Sequence, residues 1–336
     1  MDVAIWQANV PVDGVAAYRA AARGSRTWRA YQSDWRCWSR WCERNGVDPL
    51  NADPDAFCRY LVDLAARYSP GTVERRLAGI SAAYATRGLD GPRQYRVVRE
   101  TLRGIRRAWV DRCEQSGRPV VRRMAAADLP VVARMVNALP ANLRGLRDRA
   151  LLLVGFAGAL RRSELAALRV EDVEDRGHAL VLHIRRSKTD QLGEGADVPV
   201  YAGVGDLCPV RALREWLQAA GIQSGPVFRA VDRNTGRVLD GPLCTETVRL
   251  AVKRAAEAAG LDPDDFGAHS LRAGFVTQAA VNGAPLNEIM GVSRHRSERV
   301  ARAYIRKSEA LQNVAARTLW QAAPAALQDL AASAAV

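Results

Sequence analysis

"GAHSLRAGFVTQAAVNGAPLNEIMGVSRHRSERVARAYIR", residues 267–306, holds two of the chain's four histidines, six of its arginines and a tyrosine. A histidine moves protons near neutral pH. Arginines fork onto phosphate oxygens. A tyrosine hydroxyl becomes a nucleophile when neighbouring cations favour its anion. Each residue alone has a structural explanation: His269 as a satisfied core residue, Tyr304 as a core aromatic. Taken together they raise a question of phosphate chemistry, which the rest of the chain has to answer.

Bulk charge points the same way. The 336 residues carry 49 basic and 36 acidic side chains, a net charge of +13 and a pI of about 10.1. Such a surplus suggests a polyanionic partner. A membrane is the weaker choice, because the apolar run from Ala150 to Leu160 is far shorter than the roughly 20 residues a spanning helix needs. The N-terminal "MDVAIWQANVPVDG" lacks the basic and apolar regions of a secretory signal. Six scattered cysteines without CxxC or CxxH spacing argue against a zinc site and a disulfide framework. The expectation is a cytoplasmic protein acting on nucleic acid. Only three lysines occur, Lys188, Lys253 and Lys307. Codon bias explains the preference for arginine, but lysine alone of the two can give up a proton.

The first part of the chain reads as helical. Trp28, Tyr31, Trp35, Trp38 and Cys42 recur at helical spacing, with Gly46 as the stop. This stripe reads as core, not as a stacking platform for bases. Arg29, Arg36 and Arg40 lie on the opposite face, where they could meet phosphates, and Arg75 and Arg76 are further candidates. Helices opening at Asp53-Pro54 and Ser69-Pro70, and one around 94–113, complete a bundle. The expected organisation is an N-terminal arm (1–24), a helical domain (25–115), a linker (116–126), a second domain with a terminal helix (127–321) and an Ala-rich tail (322–336).

The second part opens with a helix over 128–139 and the buried-looking 147–170. "GHALVLHIRRSKTDQLGEGADVPVY" (177–201) alternates apolar and polar residues about a Gly-rich turn and reads as a hairpin, with Lys188 at its rim and His178 and His183 as structural residues. Helices are expected at 209–220, 244–259, 270–283, 286–291 and 297–306. "ALRRSEL" places Arg161 just inside a helix with Glu164 one turn on, and "HSLR" puts His269 and Arg272 on one face. Two arginines, a proton-moving histidine, a lysine and a tyrosine make up a kit for metal-free phosphoryl transfer to a protein hydroxyl.

This constellation resembles the tyrosine recombinases, the phage integrase family. The matching elements are Arg161 in "RRSEL", Lys188 in "SKTD", His269 and Arg272 in "HSLR", His295 in "SRHRS", and Tyr304 nine residues later in "RAYIR". The likeness runs over most of residues 25–320. It implies that Arg161 and Arg272 clamp the scissile phosphate and that His269 is a general base or hydrogen-bonds the phosphate. Lys188 would be the general acid, His295 a phosphate hydrogen-bonder, Tyr304 the nucleophile and Glu164 a support. No cofactor and no metal is implied, because a phosphotyrosyl bond conserves the phosphodiester energy.

The register of the box selects Arg161 over Arg162, which reads as a surface or DNA-backbone residue. Arg299, Arg302 and Arg306 are further phosphate candidates. The implied fold is mainly α with a small β-sheet: a helical-bundle DNA-binding domain and an α/β catalytic domain in a C-shaped clamp round double-stranded DNA. The implied assembly is a homo-tetramer on two paired sites. A terminal helix with Leu311, Val314, Leu319 and Trp320 would be exchanged between protomers. The implied setting is bacterial, phage or plasmid, at the nucleoid. A DNA-binding regulator that kept the fold and lost the reaction is the alternative, and six intact catalytic positions disfavour it.

Overall fold

A computed structural model describes residues 25–121, 124–185, 195–232, 234–295, 297–299 and 301–302. These fall into two compact units divided between Arg122 and Arg123. No described helix is long and apolar enough to cross a membrane.

The first unit is helical: α1 (Ser25–Asn45), α2 (Pro54–Ala65), α3 (Pro70–Ala85) and α4 (Arg96–Gln115). Its sequence signals work as expected. Asp53 accepts a hydrogen bond from the Ala56 amide at 2.6 Å with Pro54 at the first helical position, and Gly46 takes φ +65° just past α1. Trp35, Trp38 and Cys42 are buried, and Trp38 stacks on Phe57 and Trp41 at 5.0 and 5.5 Å. The stripe is therefore core from Trp35 onward, while Trp28 and Tyr31 are half-buried. Trp41, outside the expected stripe, is buried too, because it packs on Tyr60 and donates to Asp63 Oδ2 at 2.6 Å.

The second unit is α/β. Helices α5 (Leu129–Asn137), α6 (Leu143–Ala157) and α7 (Arg162–Ala167) precede an antiparallel sheet of β1 (Val173–Asp175), β2 (Ala179–Ile184) and β3 (Ala196–Tyr201) in that order. The expected hairpin is β2–β3, registered from Ala179↔Tyr201 to Ile184↔Ala196. Leu180, Leu182, Ile184, Val198 and Val200 face the core. Strand β1 was not foreseen; three residues carry too little alternation to be read. The same holds for the ribbon β4 (Arg229–Val231) and β5 (Val238–Pro242), which follows α8 (Pro209–Ala219).

Three helices close the unit: α9 (Thr245–Ala258), α10 (Ala268–Val281) and α11 (Leu286–Ser293). Helix α6 is the centre of the core, with Leu151, Leu152, Leu153 and Val154 all buried and α8 and α10 packed on it. Helix α10 begins two residues earlier than the sequence suggested, so His269 lies inside its first turn.

Helix α10 is held by its backbone. The Ala125 and Ala127 amides donate to Asp265 O and Ser270 O at 2.8 and 2.9 Å. Gly274 permits this approach, since a Cβ there would stand 1.7 Å from Ala127 O. Gly274→Ala should therefore force the 125–127 segment off the helix, destabilising the fold by about 3 kcal/mol as overpacking does. Chemical denaturation of the purified variant measures this.

Candidate active site

Arg161 does not sit inside a helix; it is the extended residue just ahead of α7 (φ −76°, ψ 152°). The reason is local. Glu164, at the third position of α7, turns back and accepts the Arg161 backbone N–H on Oε2 at 2.8 Å. Its Oε1 accepts from Arg161 Nη1 at 2.7 Å. The "R-x-S-E-L" spacing thus aims the guanidinium through a helix cap.

Arg272 is 1% exposed and donates through Nη1 to Ala159 O at 2.8 Å. Ala159 adopts a left-handed conformation, φ +46°, which is rare for a residue with a Cβ and costs about 1 kcal/mol. The strain stands where a carbonyl meets the buried guanidinium. It lies two residues before Arg161, so one turn of chain serves both arginines.

His269 is exposed at its surface. The surrounding protein mass, then the charges of Arg272 and Arg161, nevertheless hold its imidazole below the ordinary value. His295 follows α11 and hydrogen-bonds Ser293 Oγ through Nδ1 at 2.8 Å. Burial is the largest cause of its depressed pKa, followed by Arg272, Arg161, His269 and Arg294, and together they bring it down to about 4. At neutral pH this position offers an uncharged imidazole.

The structure thus brings together Arg161, Glu164, His269, Arg272 and His295 from three separated segments. Arg294 joins them and was not singled out from sequence. Its Nη2 donates to Glu164 Oε2 at 2.6 Å, and its carbonyl accepts from Arg161 Nη2 at 3.2 Å. No local sequence signal marks Arg294, because its partner Glu164 lies 130 residues away. Burial works to raise the Glu164 pKa, but Arg294 and the bonds from Arg161 outweigh it and leave the carboxylate below its ordinary range. Lys188, Tyr304 and Arg306 lie outside the described residues.

The remaining arginines are dispersed. Arg29, Arg36 and Arg40 are exposed on α1, and Arg162 and Arg299 are exposed in the second unit. Arg302 pairs with Glu298 at 2.6 Å. Arg75 pairs with the buried Asp34 while half its side chain stays in solvent. Arg76 lies over the Tyr68 ring at 4.5 Å.

The phage integrase family model matches residues 128–310, which span this whole constellation. The chain belongs to the phage integrase family. It is a site-specific DNA recombinase of the tyrosine class. An integrase/recombinase XerD homolog of Selenomonas ruminantium is 34% identical over 303 residues, covering 89% of this chain and 86% of that protein. Recombinase cre of Escherichia phage P1 is 25% identical over 314 residues, with 89% of each chain covered. In fold, the chain is similar to a lambda integrase solved as a tetramer bound to a Holliday junction. That match has a TM-score of 0.59 at 15% identity and covers 85% of this chain and 74% of that one.

The depressed His295 pKa has a testable sign. Unfolded, the imidazole takes its proton near 6.5; folded, it does so near 4. Stability should be independent of this group above pH 6.5, fall as pH drops from 6.5 to about 4, and level off below. NMR titration should show His295 neutral down to about pH 4. Denaturation of His295→Gln should show a shallower loss over the same window.

Proposed function

We propose that the recombinase cuts each strand by attack of Tyr304 on a phosphodiester held at the Arg161–Arg272–His269–His295 cluster. The observation that carries this reading is the convergence of those four side chains from residues 161, 269–272 and 295. Two permanently charged guanidiniums flank the cluster, and the two imidazoles are held neutral beside them. Such a pocket suits an anion whose charge rises in the transition state.

The tyrosine oxygen forms a bond to phosphorus and the bond to the 5′-oxygen breaks, leaving a 3′-phosphotyrosine and a 5′-hydroxyl. A neutral His269 accepts the tyrosine proton; its lowered pKa favours the uncharged imidazole. Lys188 gives a proton to the departing oxygen. Arg161 and Arg272 neutralise the non-bridging oxygens, and His295 donates a hydrogen bond to one of them. Reversal with a second 5′-hydroxyl reseals the strand. Positioning and preorganised charge supply the rate.

The test is a nicked suicide duplex carrying the target site. Tyr304→Phe should bind it like the parent and give no covalent protein–DNA adduct, since only the nucleophilic oxygen is gone. Lys188→Ala should cleave slowly and be restored by a 5′-bridging sulfur, which leaves without protonation. Adduct formation by the Tyr304 variant would sink the reading, and lack of rescue would remove Lys188 from the acid role.

The proposal extends to binding and assembly. Both units contact the duplex, with Arg29, Arg36, Arg40, Arg75, Arg76, Arg162, Arg299, Arg302 and Arg306 as the candidate phosphate partners. The protein acts at the nucleoid of a bacterial cell. Four protomers join two sites, exchanging the apolar segment 309–320. What supports this is the similarity to a protein solved as a tetramer on a Holliday junction and the helical stripe of Leu311, Val314 and Leu319. A head-to-tail exchange of this kind closes a ring. Truncation after Ser308 should leave single-site binding largely intact and impair paired-site complexes in a gel-shift assay. Full-strength synapsis by the truncated chain would overturn the exchange.

A further inference from the structure

Arg294 combines three features that the proposed chemistry does not use. Its backbone is left-handed, φ +55° and ψ +42°, at the end of α11, with its amide donating to Met290 O at 2.7 Å. Its side chain is about 10% exposed and donates through Nη2 to Glu164 Oε2 and through Nη1 to Val292 O at 2.7 Å. Its carbonyl accepts from Arg161 Nη2. Glycine fits a left-handed helix end without strain. An arginine there means that the side chain compensates for an unfavourable backbone.

The compensation is electrostatic. Glu164 is 4% exposed, and both of its oxygens already meet Arg161, through the backbone N–H and through Nη1. Were Arg161 the sole cation beside it, carboxylate and guanidinium would cancel, and an incoming phosphate would compete with Glu164 for the same charge. With Arg294 present, two guanidiniums face one carboxylate and one positive charge remains. The bond from Arg161 Nη2 to the Arg294 carbonyl also ties the turn before His295 to the arginine on α7's cap.

We infer that Arg294 is a positioning residue. It takes up the charge of Glu164, so that the positive charge of Arg161 is not cancelled before phosphate arrives, and it sets the turn that carries His295. This rests on the reading of Arg161, Arg272 and His295 as the phosphate site.

The experiment uses the full chain on the nicked suicide duplex, with single-site binding measured in parallel. Arg294→Gly relieves the left-handed strain and removes the guanidinium, and Arg294→Met removes the charge while keeping bulk. Both should bind the site within about twofold of the parent and form adduct at least about tenfold more slowly, as small misplacements at a reacting centre do. Arg294→Lys should recover most of the rate.

The decisive variant is Arg294→Gly combined with Glu164→Gln. Neutralising Glu164 frees the Arg161 charge again, so cleavage should rise above that of Arg294→Gly alone. A merely structural role predicts that the double variant is worse. Parent-level cleavage by Arg294→Gly, or no gain in the double variant, would overturn the inference. If Arg294→Gly does not fold, the comparison of the Lys and Met variants decides, equal rates being the adverse result. Arg272→Ala is the control. If it cleaves normally, the phosphate-site reading itself fails; if it is dead while Arg294→Gly is normal, only this inference fails.

Discussion

A carboxylate removed from water must be met by positive charge, and at Glu164 the two cations come from positions about 130 residues apart in sequence. Losing one partner of a buried ion pair costs about 3–5 kcal/mol, so the carboxylate acts as a clasp. Through it the cap of α7, the Arg161 guanidinium and the turn before His295 share one geometry. Glu164 plays no part in the proposed proton transfers. It decides where the groups that react can stand.

The same logic recurs in the first unit. Asp34 is 1% exposed on the aromatic helix α1, under Gly79 of α3, where a Cβ would come within 2.8 Å of it. Burial raises its pKa even though Arg75 and Arg76 pull it down. Arg75 is thus tethered at its root and exposed at its flank. An arginine held this way loses less side-chain freedom on meeting a phosphate than one on an unconstrained surface. In both units a buried acid organises arginines, which suits a chain whose basic residues are almost all arginine.

Backbone strain is confined to places where it serves these contacts. Among the described residues only Ala159 and Arg294 take positive φ without being glycine. One presents a carbonyl to Arg272, and the other presents both a carbonyl and a guanidinium to the Arg161–Glu164 pair. Left-handed residues of this kind persist where the surrounding structure over-determines them. Both lie within two residues of a site arginine or histidine.

Much of this was legible in the sequence. Apolar periodicity of 3.6 and 2 located the long helices and the β2–β3 hairpin, because burial of one face imposes the period locally. Asp53-Pro54 and Ser69-Pro70 marked two helix starts, because a cap and a first-turn proline act within four residues. The box "RRSEL" and the pair "HSLR" singled out side chains that the fold brings together, Arg161, Glu164, His269 and Arg272. The short strands β1, β4 and β5 escaped the sequence pattern because three to five residues carry too little alternation to be read, although their partners lie only 5–13 residues away. Tertiary structure alone decided that Trp41 is core and that Arg294 joins Arg161 and Glu164. These depend on which charges and surfaces meet when segments remote in sequence pack together, and no local pattern encodes the electrostatic balance of a buried carboxylate with a cation 130 residues away.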